Sequence, residues 1–203
     1  GWAVAFQSHA DNLAAGDTND AEDIFLADLQ NGTVERVSRG WDGAQLARGA
    51  EFAALAVGTR YMLFRSLAPA AAGDTNAAAD VFLLDRTFGT VDCVTKSATG
   101  PFGDGDASLD AVTPDDRFVL FTTHAENLAP GDTNGFADVF LRDRHTGALE
   151  LASARPDGRP GNDAADGSSL SDDGRWVVYG TEATDVLPDG RPAGAVLWDR
   201  QSG

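Results

Sequence analysis

The 203-residue sequence predicts an all-β chain built from the four-stranded antiparallel blades of a β-propeller. Three observations lead to this prediction. One phrase recurs at intervals of 57–58 residues, each copy contains short β-prone runs separated by turn residues, and no window has a sustained helical periodicity. Repeats with four short strands each are typical of propeller blades, and this chain has room for about four of them.

The recurring phrase begins with Gly-Asp-Thr-Asn and continues into a strand that reads Asp-Ile/Val-Phe-Leu. Its first aspartate is Asp17, Asp74 or Asp132, and these three residues are 57 and 58 positions apart. A worn fourth copy occupies 188–199. Because several anchors keep the same period, the repeat is not a chance pattern. The aromatic anchors are Phe6, Phe64, Phe121 and Tyr179.

Each complete repeat contains four elements in a fixed order. A small-residue strand comes first and fits the innermost position, where strands crowd together. An apolar strand such as 61–64 follows, then the Asp-Val-Phe-Leu strand, then an outer strand such as 33–38. An aspartate and a glycine mark the turn after the third strand, and we expect the glycine to be left-handed. These pairs are Asp28/Gly32, Asp85/Gly89, Asp143/Gly147 and Asp199/Gly203.

The period divides residues 1–203, taken as one propeller domain or segment, into approximate blades 1–50, 51–107, 108–164 and 165–203. Aligned with the complete copies, the first blade lacks its innermost strand and the fourth lacks its outermost strand, which leaves 14 strands. A closed propeller normally has at least four complete blades. We therefore expect further blades of a larger propeller, or a second chain, to complete this one. A β-solenoid is the alternative fold.

Composition narrows the class of partner. The chain has 15 Lys and Arg against 32 Asp and Glu, a formal net charge of −17, which argues against nucleic acid or an anionic membrane as a partner. Its apolar runs are only about five residues long, so the sequence predicts no membrane insertion. The single cysteine, Cys93, cannot form an internal disulfide, and we expect it to be buried within a strand.

One segment resembles a known family. Ser171-Asp172-Asp173-Gly174-Arg175, followed by Trp-Val-Val-Tyr, is similar to the blade repeat of bacterial TolB-type β-propellers, as is the strand 138–143. The Gly-Asp-Thr-Asn loops resemble a variant found in secreted or envelope proteins. The resemblance covers the whole chain, although the Ser-Asp-Gly turn has decayed at 56–60. It implies a propeller fold and a secreted or periplasmic location. It implies no activity, because such propellers serve as docking platforms, enzyme-gating caps or surface modules.

The most repeated polar pattern is Asp-x-Asn-x-x-x-Asp. Alternating oxygen ligands followed by a further carboxylate suit a hard cation such as calcium. The structural alternative is that these side chains bond nearby backbone amides and shape a turn. The pattern lacks the fixed glycine and distal glutamate of a calcium loop, and the fourth copy has Arg191 and Ala195 instead of two ligands. Calcium is thus the one candidate cofactor. The candidate ligands are Asp17, Asn19, Asp23, Asp74, Asn76, Asp80, Asp132, Asn134 and Asp138.

Three aromatic residues fall outside the repeated core positions. Trp2 stands where the other copies have arginine, and Trp41 and Phe102 lie in loops between blades. Exposed aromatic side chains on propeller loops can stack on sugar rings or fill a pocket of a partner. A loop tryptophan can equally cover a blade edge. Trp2, Trp41 and Phe102 are the candidate binding residues.

These features predict a non-catalytic, exported binding or scaffold module. Its variable loops, at 39–50, 97–107 and 154–167, would be presented to a protein or glycan partner. One alternative is a calcium-stiffened structural spacer. Another is a hydrolase acting on polysaccharide or peptide, or the propeller cap of one, with a pair of acids near the inner strands. The acids outside the repeat scheme are Glu51, Asp110 and Asp166.

Overall fold

The computed structural model describes residues 2–55, 60–97, 100–187, 190, 192 and 194–202. Some features discussed above lie outside these residues. They are the decayed turn at 56–59, positions 98 and 99 of the loop 97–107, the residues Pro188, Asp189 and Arg191 of the worn fourth copy, and Gly203.

The predicted fold class is confirmed. The described residues form fourteen strands in four antiparallel sheets, and the first and last sheets have three strands instead of four. The sheet orders are β1-β2-β3, β4-β5-β6-β7, β11-β10-β9-β8 and β12-β13-β14. Within the described ranges no helix is long and apolar enough to cross a membrane. The strands are β1 (Ala3–Ser8), β2 (Asp23–Asp28), β3 (Thr33–Arg36), β4 (Glu51–Leu55), β5 (Tyr61–Ser66), β6 (Asp80–Asp85), β7 (Thr90–Cys93), β8 (Ala107–Val112), β9 (Phe118–Thr123), β10 (Asp138–Asp143), β11 (Leu149–Leu151), β12 (Ala165–Leu170), β13 (Trp176–Thr181) and β14 (Gly194–Asp199).

The chain divides into two compact units, Gly1–Val94 and Thr95–Gly203, each with two sheets. In the second unit the sheets pack through apolar side chains on facing sides. Leu120 and Leu141 lie on one sheet, Val177 and Tyr179 lie on the other, and all four are buried. This contact is the blade-to-blade packing expected of a propeller.

The aromatic anchors occupy the middle of the sheets. In the first three sheets each anchor lies directly opposite the phenylalanine of the neighbouring strand, with ring centroids 5.6–5.7 Å apart. Such close ring pairs add stability beyond the burial of their area. Cys93, the last residue of β7, is buried within a strand, as predicted. The ring pairs are Phe6–Phe25, Phe64–Phe82 and Phe121–Phe140.

The innermost strand of each sheet that has one carries a β-bulge at the same position of the repeat. The register shifts between Phe52 and Ala54 in β4, between Leu109 and Ala111 in β8, and between Asp166 and Ser169 in β12. A bulge leaves one residue unpaired and re-aims its side chain. In β8 that unpaired residue is Asp110.

The two ends of each sheet differ in chemistry. We call the end that carries the Gly-Asp-Thr-Asn segments the loop end, and the end with the Asp-x-x-x-Gly hairpins the turn end. The hairpin prediction is confirmed at the turn end, where Gly32, Gly89 and Gly147 are left-handed. In each case the glycine N–H donates to the carbonyl of the aspartate that opens the turn. The aspartate side chain accepts further backbone N–H groups, as for Asp143 with His145 at 2.9 Å.

Apolar side chains are exposed on the free faces of the first and last sheets. Val178 is 43% and Leu197 61% exposed, whereas Leu120 and Leu141, their counterparts one repeat earlier, are fully buried. In the first sheet Val4 is 47% exposed. These faces have the side chains of a blade interface without a neighbouring sheet in the described residues, as in a partial propeller of about four blades.

Candidate functional site

The three complete copies of the repeated loop lie at the loop end, and we call them the first loop (16–23), the second loop (73–80) and the third loop (131–138). In each, the asparagine Oδ1 accepts the backbone N–H of the residue two positions later, at 2.7–3.1 Å. This bond defines an Asx turn, so the predicted turn-making role of the asparagines is confirmed. The asparagine amides also donate, Asn19 to Asp23 at 2.9 Å and Asn76 to Asp80 at 2.8 Å.

In the first loop both repeat aspartates, Asp17 and Asp23, have side-chain donors. Gln45 Nε2 donates to Asp17 Oδ1 at 2.7 Å and to Asp23 Oδ2 at 3.2 Å. The guanidinium of Arg36 lies 3.5 Å from Asp17 Oδ1, which makes an ion pair. Ser38 donates its hydroxyl to Asp23 Oδ1 at 2.5 Å. The first loop is therefore held by donors of its own chain.

The third loop keeps only part of this arrangement. Ser153 donates to Asp138 Oδ1 at 2.6 Å, as Ser38 does to Asp23. The other oxygen, Asp138 Oδ2, is buried and has no hydrogen-bond partner. Burial raises the pKa of Asp138 to about 6, the nearby charge of Asp132 adds to the shift, and the side chains of Ser153 and Asn134 oppose it. Burial also raises the pKa of Asp132 above its usual value.

The second loop has a similar defect at its first aspartate. Asp74 Oδ1 is buried without a hydrogen-bond partner, and burial raises the pKa of this carboxyl group. An unpaired buried carboxylate oxygen loses its hydration without compensation. Among the described residues no group of three or more His, Cys, Asp or Glu side chains is arranged to hold a metal ion. Any cation in these loops would therefore also need backbone carbonyl or water ligands.

Two cavities open at the loop end, one in each unit. The cavity in the first unit, about 120 Å³, is lined by Leu67 and by charged residues. The cavity in the second unit, about 220 Å³, lies against the third loop. Arg155 lines the second cavity and pairs with Asp157 and Asp185 at 2.9 and 3.2 Å. The charged residues of the first cavity are Glu22, Arg48, Glu51 and Arg65.

The structure does not bring all three candidate binding aromatics to one end of the sheets. Trp2 is 69% exposed at the turn end, where its carbonyl accepts the N–H of Leu29 at 2.7 Å. Trp41 is 57% exposed at the opposite, loop end of the first unit, and its N–H donates to Ala70. Phe102 is half-buried in a loop of the second unit. Phe136, in the third loop, is a further exposed aromatic that sequence reasoning did not single out.

Comparison with known proteins gives matches among solved structures. No protein-family model and no curated protein sequence matches the chain. TolB from Acinetobacter baumannii matches all of this chain with a TM-score of 0.52 and 19% identity. A putative TolB from Agrobacterium tumefaciens also matches all of it, with a TM-score of 0.55 and 15% identity. The chain has a TolB-like β-propeller fold. A tricorn protease structure matches 88% of the chain with a TM-score of 0.53 and 12% identity.

The TolB-like chain spans only part of the length of these structures. It covers 39% of the Acinetobacter baumannii chain, 59% of the Agrobacterium tumefaciens chain and 14% of the tricorn protease. The blades described above are therefore equivalent to part of those larger molecules.

The three acids considered for catalysis differ in surroundings within the TolB-like fold. Asp110, at the bulge of β8, accepts hydroxyl hydrogen bonds from Thr122 and from Ser168 of the neighbouring sheet. Burial raises the pKa of Asp110, and the charge of Asp166 contributes to the shift. Glu51 is instead exposed and pairs with Arg65 at 3.0 Å. Of these three acids, Asp110 and Asp166 are the two whose charges interact.

Sequence reasoning missed the donors that hold the aspartates of the hairpins and of the first loop. At the turn end the arginine before the second strand of a sheet pairs with the hairpin aspartate at 2.7–2.8 Å. At the loop end Gln45 and Arg36 hold the first loop. The signal for the arginines was present, because they recur at the blade spacing. Gln45 and Arg36 differ from the residues at the same positions of the other copies. This difference is seen when the copies are aligned by the register of their strands. The turn-end pairs are Arg60–Asp85, Arg117–Asp143 and Arg175–Asp199.

Proposed function

We propose that this chain is a non-catalytic, exported binding module of the bacterial cell envelope and that its loop end binds a protein partner. The observation that carries the proposal is that the longest loops, the exposed Trp41 and both cavities described above occur at this end of the sheets. Binding residues are commonly found on loops that a rigid scaffold positions.

The chemistry of the loop end suits a protein surface. Trp41 and Phe136 are exposed apolar side chains, and large aromatic residues contribute much of the energy of protein interfaces. Arginine is likewise enriched at such interfaces, and Arg155 and Arg159 line the cavity of the second unit. A glycan is the other ligand consistent with aromatic side chains beside polar cavities.

The exported location and the completion of the propeller are part of the proposal. The location rests on the resemblance of the repeat to TolB-type envelope propellers. Completion by further blades is supported by the exposed side chains of Val178 and Leu197, whose counterparts one repeat earlier are buried between sheets. Burial of such a face removes apolar surface from water and stabilises the sheet.

The loop end can be tested by site-specific photo-crosslinking in the bacterial envelope. Crosslinkers at Trp41 and Arg48, both at the loop end of the first unit, are expected to trap the same protein, which is then purified and titrated against the chain. Trp41→Ala should weaken that binding at least tenfold, as for an interface anchor. Trp2→Ala, at the turn end, is the matched control and should leave binding unchanged. Equal loss in both variants would contradict the proposal, and glycan-array binding lost on Trp41→Ala would replace the protein partner with a sugar.

A hydrolase is the second candidate function, because Asp110 and Asp166 interact and the pKa of Asp110 is raised. A general acid needs such a raised pKa. Against this role, Asp110 Oδ2 already accepts two hydroxyl hydrogen bonds. Hydrolysis of a polysaccharide or peptide that is lost in both Asp110→Asn and Asp166→Asn, while folding is retained, would establish the enzyme and displace the binding-only proposal.

A further inference from the structure

Two buried carboxylate oxygens in the repeated loops lack a hydrogen-bond partner: Asp74 Oδ1 in the second loop and Asp138 Oδ2 in the third. The side chains themselves are almost completely buried, since Asp74 is 8% exposed and Asp138 1%. Folding leaves such an oxygen unsatisfied only when strain, an unusual role or an absent ligand accounts for it. The first loop has no corresponding oxygen among the unpaired atoms.

The loops differ in their donors. Asn19 and Asn76 donate to Asp23 and Asp80, whereas Asn134 donates to the carbonyl of Gly161 at 2.8 Å. Two further positions of the repeat also differ. The register of the outer strands places Arg36 opposite Phe25, Cys93 opposite Phe82 and Leu151 opposite Phe140. The second and third loops thus have Cys93 and Leu151 at the position of Arg36.

A second position shows the same replacement. Isolated β-bridges pair Arg39 with Gln45, Lys96 with Phe102 and Ala154 with Pro160. Phe102 and Pro160 therefore take the place of Gln45, whose amide donates to both aspartates of the first loop. The two loops that lack the arginine and the amide are the two with an unpaired oxygen.

The third loop also concentrates negative charge. Asp132 is 6% exposed, and the charges of Glu126 and Asp104 act on it. Asp132 acts in turn on Asp138. The cavity of about 220 Å³ gives access to Asp132 from solvent. Arg155, which also lines this cavity, forms ion pairs with Asp157 and Asp185.

We propose that the second and third loops each bind a calcium ion, at Asp74 and at Asp132 with Asp138, and that Arg36 and Gln45 take the place of this ion in the first loop. Calcium accepts carboxylate, backbone carbonyl and water oxygens in flexible geometry. With so few carboxylates per loop, we expect dissociation constants of about 10⁻⁴–10⁻³ M, the range of extracellular calcium modules.

Thermal unfolding of the full chain tests the proposal, with calcium chloride compared with chelator at constant ionic strength. We expect about 10 mM calcium to raise the Tm by roughly 5–10 °C. Leu151→Arg combined with Pro160→Gln gives the third loop the partners of the first. This variant should have a higher Tm in chelator and a smaller response to calcium. Asp17→Asn, in the first loop, is the matched control and should keep the full response.

If Leu151→Arg combined with Pro160→Gln does not fold, direct titration with calcium chloride by calorimetry still tests the proposal. We expect two sites in the native chain, one in Asp138→Asn and none in Asp74→Asn combined with Asp138→Asn. A native Tm that is the same in calcium and chelator would overturn the proposal, as would loss of the response in Asp17→Asn. If the carboxylates are protonated and bind no ion, the native Tm will be the same in calcium and in chelator.

Discussion

At the scale of single residues, the turn end depends on an ion pair that the repeat copies three times. Arg117 Nη2 lies 2.8 Å from Asp143 Oδ2, and Asp143 is 1% exposed. The guanidinium of Arg117 holds the pKa of Asp143 well below its usual value. The first sheet has Trp2 at the arginine position, and there the pKa of Asp28 is lowered mainly by the side chain of Asn31. The two sites differ in the arginine and in the burial of the aspartate, which is half-buried at Asp28.

Asp143→Asn should lower the Tm at neutral pH by at least about 4 °C, because a buried charged hydrogen bond is lost. Since the pKa of Asp143 is lowered in the folded protein, this stabilisation is present above the unfolded-state pKa of about 4 and disappears as the pH falls towards the folded-state value. Thermal melts from pH 7 to about pH 2 should therefore show the Tm difference between variant and native chain narrowing below pH 4. Asp28→Asn should lower the Tm by less, because Asp28 has no arginine partner. An equal loss of Tm in both variants would contradict the role of the ion pair.

Gly174 shows how a turn residue can be fixed by packing as well as by backbone conformation. Its φ is +69°, and a Cβ atom at this position would lie 2.1 Å from the ring of Phe118 in the neighbouring sheet. That ring is also flanked by the guanidinium groups of Arg117 and Arg200, at 4.6 and 4.5 Å from its centroid. The ring is thus enclosed and cannot move aside freely.

Gly174→Ala should lower the free energy of unfolding by about 2–5 kcal/mol, because the left-handed backbone and the contact with Phe118 both disfavour a side chain. Gly147→Ala is the matched control, since Gly147 has a φ of +77° and no atom within 4 Å of an added Cβ. It should lose only about 1–2 kcal/mol. Chemical denaturation measures both values, and equal losses would mean that packing on Phe118 adds nothing.

At the scale of elements, Asp110 connects the innermost strands of two sheets in the second unit. It is the unpaired residue of the bulge in β8, and it accepts hydrogen bonds from Thr122 of β9 and Ser168 of β12. Because bulges re-aim side chains, the irregularity of β8 is what directs this carboxylate towards the next sheet. The contact is therefore a brace between blades.

Ser168→Ala should destabilise the chain by about 1–2 kcal/mol, because the half-buried carboxylate of Asp110 loses a donor. A double-mutant cycle with Asp110→Asn should give a coupling energy of about 0.5–3 kcal/mol. Ser169→Ala, at the exposed neighbouring position, is the control and should change stability by less than about 0.5 kcal/mol. Additive effects of the Asp110 and Ser168 substitutions in denaturant unfolding would rule out the brace.

The elements themselves could be predicted from the sequence, whereas much of the site could not. Strands and hairpins follow from local patterns that recur, so each copy supports the prediction made from the others. The donors of the first loop are different, because Gln45 is 28 residues from Asp17 and reaches it only through the register of the folded sheet. The bulges were also missed, since nothing in the local pattern around Asp110 indicates an unpaired residue.

At the scale of the whole molecule, repetition gives every sheet the same apolar positions, and within each unit one sheet packs against the other. The same positions are buried or exposed according to whether a neighbouring sheet covers them, as Leu141 and Leu197 demonstrate. The net charge of −17 opposes association between copies, because like charges repel. Exposed apolar faces and overall acidity therefore act in opposite directions on the state of the chain in solution.

Val178→Thr combined with Leu197→Lys should reduce self-association of the chain and its binding of a hydrophobic dye, since both side chains lie on the uncovered face of β13 and β14. The Tm should change by less than about 2 °C, because neither side chain is buried. Sedimentation at 0.5 M salt, where charge repulsion is screened, measures the association. Leu29→Lys replaces a leucine that is equally exposed, at 60%, but lies in a hairpin turn. If it reduced association as much, apolar exposure in general, and not this blade face, would be responsible.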